Sequence, residues 1–115
     1  MALTRAFRET VRARAERDPR FREALFSEAL NAWLAGDAAA GRALLRDLVN
    51  ATIGFEALAR ATGRPVKSLH RMLSRSGNPT SESLFQIVQA LAQGTGLRLS
   101  VTVESPPPRR RRRAA

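Results

Sequence analysis

The chain has no cysteine, one histidine, one lysine and one tryptophan. Without cysteine there is no disulfide, no thiol nucleophile and no zinc finger. His70 stands alone, so a His-rich metal site cannot form. No stretch approaches the ~18 uncharged apolar residues that a membrane span needs. Phosphate-binding glycine loops, paired carboxylates, nucleophile–base sets and metal-ligand spacings are missing as well. Glu56 and Glu82 fall at helix starts, where a carboxylate complements the macrodipole. The expectation is therefore a protein with no catalytic residues, no metal, no cofactor and no small-molecule substrate. The Arg-rich start has no apolar core of a secretory signal, and Glu9 and Glu16 argue against a transit peptide. A cytoplasmic location is expected.

What the chain does have is positive charge. Among 115 residues there are 20 Lys plus Arg and 10 Asp plus Glu, for a net +10. Residues 109–113 are five consecutive arginines; removing them leaves 15 basic and 10 acidic residues, still +5. Such a balance favours an anionic partner, with nucleic acid ahead of a membrane surface. The length fits one domain, or a small domain with an appendage. Apolar residues make up 43%, too many for a disordered chain. A chain of this size buries roughly 60–70% of its unfolded surface, enough for one modest core.

Helical signals run almost throughout. Thr4 suits the cap of a first helix reaching about residue 17, with Leu3, Phe7 and Val11 as a narrow apolar stripe and Arg5, Arg8 and Arg12 on another face. Asp18-Pro19 reads as cap and first turn of a second helix to about residue 35. There Phe21, Leu25, Ala29 and Trp33, flanked by Leu30 and Leu34, make a wide core-facing surface. Gly36 closes it, and Asp37 caps a third helix over residues 38–50 with Leu44, Leu45, Leu48 and Val49 inward. After Thr52-Ile53-Gly54 come two short helices, residues 55–62 and 66–75, joined across Gly63 and Arg64-Pro65. Gly77-Asn78-Pro79 is a loop, and Thr80 or Ser81 caps a last helix that Gly94 and Gly96 break near residue 93.

The period then changes. Leu97, Leu99, Val101 and Val103 alternate with Arg98, Ser100 and Thr102, the pattern of one strand with an apolar face. A lone strand leaves its N–H and C=O groups unpaired and needs a partner. The simplest closed solution is the same strand of a second copy about a two-fold axis, with the four apolar residues covering the helices. The other solutions are an edge strand of a different protein, or a tail packed on its own helices. Pro106 to Pro108 end the strand, and the basic tail beyond is expected to be disordered when free. On duplex DNA it would add salt-sensitive, sequence-blind affinity; equally, it has no role.

Residues 54–91 carry the functional signal. Two short helices meet at a tight turn, Ala59 is small at the close approach, and Leu58, Leu69, Met72 and Leu73 supply buried positions: a helix-turn-helix arrangement. Leu58-Ala59-Arg60-Ala61-Thr62-Gly63 resembles the opening of the Cro/phage-repressor-like (XRE-type) helix-turn-helix. The longer ordered set is more specific: Ser68-Leu69, Leu73, Gly77-Asn78-Pro79-Thr80, Leu84, Ala90-Leu91 and Gly96-Leu97-Arg98-Leu99. It resembles the addiction-module antidote family, the HigA-like antitoxins of type II toxin–antitoxin pairs, and the likeness covers about residues 21–103. The resemblance implies a helical domain that binds operator DNA as a dimer, neutralises a RelE/ParE-like toxin and represses its own operon. It departs from the family in three adjacent places: Arg64 for an apolar residue, Pro65 for a Ser/Thr cap, and Val66 for a polar or basic residue.

The expected fold is all-α: a five- to six-helix lambda-repressor-like helix-turn-helix domain with one C-terminal β-strand for dimer pairing. Its parts are N-terminal helices (1–36), the helix-turn-helix domain (37–96), the strand (97–104) and the basic tail (105–115). The candidate DNA-binding residues are Arg64, Val66, Lys67, Ser68, His70, Arg71, Arg75 and Asn78. Arg71 has the fork for guanine O6 and N7, and Lys67 suits a base or a phosphate; the bland alternative is two solvated charges. Ser68 either donates to DNA or faces solvent. Val66 offers only a methyl contact to thymine. His70 reaches a phosphate or, the favoured reading, packs on the last helix. Arg75 suits a phosphate, whereas Asn78 is better explained by turn chemistry. Trp33 with Phe21 and Leu25 reads as core rather than as a toxin-binding face. The functional expectation is a sequence-specific transcriptional regulator and antitoxin. The alternative, motivated by residues 64–66, is a protein-interaction module that binds a toxin or another partner without reading DNA.

Overall fold

Helix starts in this chain are set by local chemistry. Asp18 has an extended backbone, and its carboxylate accepts from the N–H groups of Arg20 and Phe21, two donors that the helix itself leaves unpaired. Pro19 follows at the first helical position, where a missing N–H costs nothing. Asp37 accepts from the Ala40 N–H in the same way, and Thr80 from the Ser83 N–H.

The computed structural model describes residues 5–108. Among them are six helices: α1 (Arg5–Arg17), α2 (Pro19–Leu34), α3 (Ala38–Ala51), α4 (Gly54–Thr62), α5 (Val66–Met72) and α6 (Ser81–Thr95). The described part is all-helical, with no strand. Thr4, Leu3 and the arginine run 109–113 lie outside the described residues, as does the side chain of Arg8. No helix among the described residues is long and apolar enough to cross a membrane.

Helix α3 is the centre of the assembly: α1 and α2 pack on it from one side, and α4 joins it to α5 and α6. One apolar core runs through the helices. Phe26 of α2, Leu45 and Leu48 of α3, Leu58 of α4, Leu69 of α5, and Ile87 and Leu91 of α6 are all fully buried in it. Trp33 packs against this core as expected, lying directly over Gly41, where a Cβ would fall on the indole ring. Its Nε1 is buried without a hydrogen-bond partner.

Several expectations are corrected. Helix α5 ends at Met72, not near residue 75, because the backbone beyond Leu73 turns back on itself. Gly94 stays inside α6 and meets the Ile53 side chain closely; the break comes only at Gly96, which is left-handed at φ 72°. Leu34 does not join the core and is 71% exposed. Residues 97–103 form no ladder with any described part of the chain. Leu97 packs against the core and donates its N–H to the Ala92 carbonyl. Leu99, Val101 and Val103 are 38%, 78% and 94% exposed in the single chain. Among the described residues there is no second strand to hold them.

Candidate nucleic-acid interface

The turn between α4 and α5 is three residues long. Gly63 takes the left-handed conformation, φ 69°, and its N–H returns to the Ala59 carbonyl, which closes α4 without the Cβ strain another residue would carry. Arg64 and Pro65 follow. Pro65 stands at the α5 N-cap with ψ 142°; it offers no side-chain cap, but its carbonyl accepts from the Leu69 N–H. Leu69 is fully buried and fixes the inner side of α5.

That anchoring decides which residues of α5 face out. Lys67, His70 and Arg71 stand at i, i+3 and i+4 and are exposed. Ser68 is half-buried. Val66 is half-buried and packs against the core, so it is poorly placed for a contact outside the molecule. The His70 ring stacks on Phe55 at the start of α4, with centroids 3.9 Å apart and planes at 21°. Arg64 is also committed, donating from Nε and Nη2 to Gln86 Oε1 at 2.9 and 2.8 Å. Arg75 and Asn78 are exposed beyond α5. The Asn78 side chain makes no turn hydrogen bond to its own backbone among the described residues.

Three further features bear on the site. The first is electrostatic. Between Glu56 and Glu82 there is no acidic residue, while Arg60, Arg64, Lys67, Arg71 and Arg75 all fall there. The ion pairs within α1 and at its end, Arg5–Glu9, Arg12–Glu16 and Arg14–Asp18, have no counterpart in this stretch. The second is Gln86, the partner of Arg64. The third is the pair Arg42 and Arg46 on α3, which bond to backbone carbonyls just beyond α5. An exposed face of unpaired cations on one short helix can neutralise phosphates, and an arginine on it can reach guanine O6 and N7.

Compared with known proteins, the chain matches no family model, no curated protein and no solved structure.

Proposed function

We propose that the protein is a dimeric DNA-binding transcriptional regulator in which α4 and α5 form a helix-turn-helix and α5 enters the major groove of an operator. The observation that carries this reading is the exposed Lys67–His70–Arg71 face of α5 within an acid-free, cation-rich stretch. Arg71 reads a base edge, Lys67 contacts a base or phosphate, and Arg64, Arg75 and Arg60 meet the backbone. Ser68 and Asn78 stand at the margin of this face, and Val66 serves packing more than reading. His70 holds its place on Phe55 and borders the groove.

The same reading assigns residues 97–103 to a second copy. The exposed apolar side chains of Leu99, Val101 and Val103 suit antiparallel pairing with another chain, and a two-fold closed dimer provides it. Dimer pairing would place two copies of α5 on half-sites about one helical turn apart, or a multiple of it. The resemblance to the HigA-like antitoxins supports a cytoplasmic antitoxin that represses its own operon and neutralises a RelE/ParE-like toxin.

Selection from a random duplex pool tests the reading. The expected result is an enriched palindromic site, bound well above random DNA at about 150 mM salt, where non-specific attraction is weak. A second reading, an interaction module that holds a toxin without reading DNA, draws on the half-buried Val66 and the committed Arg64. It predicts no enriched site at all.

A further inference from the structure

The carbonyls at the end of a helix have no partner within it, and something must satisfy them. At α5 the supply is unusual. Leu73, the C-cap, donates back to Arg71 and Leu69, and the Ser74 N–H and hydroxyl both return to the Arg71 carbonyl, the hydroxyl at 2.7 Å. Gly77 donates its N–H to Ser74 and comes so close to the α5 carbonyls that a Cβ there would fall on Met72 O and lie 2.6 Å from Arg71 O. The next three carbonyls in sequence are taken by another helix. Arg46 Nη1 donates to Leu73 O at 3.3 Å, Arg42 Nε to Ser74 O at 3.1 Å, and Arg42 Nη2 to Arg75 O at 3.0 Å.

Arg42 and Arg46 stand one turn apart on α3 and are half-buried. Their charges meet the negative end of α5, where a cation is favoured, through hydrogen bonds that the charge strengthens. Arg42 uses its planar fork to hold two consecutive carbonyls at once, which fixes direction as well as distance; a lysine in its place would be a point charge on a flexible stem. The near end of α5 is held by the Gly63–Pro65 turn and the Arg64–Gln86 bonds. The far end is held by α3.

We propose that Arg42 and Arg46 are positioning residues for α5: they set the pose of the helix in the groove and do not themselves contact DNA. This rests on the reading of α5 as the DNA-reading helix. Two of the cations in the folded part of the chain are then spent inside the molecule, and the count of phosphate contacts falls accordingly.

The experiment compares wild type, Arg42→Lys and Arg42→Gln on the duplex selected from a random pool and on random duplex of equal length, across a salt series. Thermal melts confirm that each is folded at the assay temperature. A positioning role predicts that both variants lose preference for the selected duplex by about tenfold, the scale of one base contact, with the salt slope unchanged. It also predicts faster amide exchange at Ser74 and Gly77 in the free Arg42→Lys protein. A phosphate contact predicts the opposite: Lys restores wild-type binding, while Gln keeps the preference and makes the slope shallower by about 0.9. That result, or a merely lower melting temperature with preference intact, overturns the proposal. A wild-type protein that prefers no duplex overturns the reading of α5 itself, and with it this inference.

Discussion

Arg64 reaches from the α4–α5 turn to α6 and places two nitrogens, Nε and Nη2, on the single oxygen Oε1 of Gln86, at 2.9 and 2.8 Å. A long, flexible side chain is thereby ordered before any partner arrives, and an ordered side chain loses less entropy on binding. Its Nη1 and the Gln86 amide nitrogen make no further hydrogen bond among the described residues. Gln86→Ala removes the support without changing charge. Affinity should fall about fivefold for selected and random duplexes alike, as expected when one side chain must be ordered on binding. Titration by fluorescence anisotropy checks this. Tighter binding by the variant would mean that Gln86 holds Arg64 away from DNA.

Trp33 is the sole tryptophan, so its fluorescence reports one site. Gly41→Ala would put a methyl group into the indole ring and force the two helices α2 and α3 apart or the ring out. The expected cost is about 1–3 kcal/mol, as for overpacking in a tight core. It should appear in a denaturant titration, together with a red-shifted emission maximum. Unchanged stability and emission would contradict the packing of Trp33 on Gly41.

Val101 contributes nothing to the core of one chain, being 78% exposed. Val101→Asp should therefore leave the helical content and the folded monomer intact. It should convert a dimer to a monomer in sedimentation velocity, because a charge would have to be buried in the apolar seam without a partner. A dimer of undiminished affinity would show that residues 97–103 are not the seam.

The parts of the fold legible in the sequence are those settled by near neighbours. Asp18-Pro19 and Asp37 carry their helix starts in their own chemistry, and Gly63 carries the close of α4. The apolar spacing of α3 places Leu45, Leu48 and Val49 inward, as they are found. What was not legible was decided by distant residues. The early end of α5 is fastened by arginines 27 to 33 positions upstream. Gly94 lies inside α6 where a Cβ would meet Ile53, so the glycine serves a close approach rather than a helix stop, and a lone glycine cannot announce that. Arg64 finds Gln86 across 22 positions, and His70 stacks on Phe55 of the neighbouring helix. At the candidate site, the resemblance to a helix-turn-helix names Val66, Lys67, Ser68, His70 and Arg71 together, and of these Lys67, His70 and Arg71 are exposed. The commitment of Arg64 and the burial of Val66 depend on packing that no local pattern encodes.

The role proposed for the outer face of α5 is to read duplex DNA. It is tested most directly by binding of wild type and Arg71→Ala to the selected duplex and to random DNA at about 150 mM salt. The account predicts a loss of about 1–3 kcal/mol for Arg71→Ala on the selected duplex, with relaxed preference at one base position and little change on random DNA. Equal binding of both duplexes by wild type, or an Arg71→Ala protein that binds the selected duplex as wild type does, would contradict it.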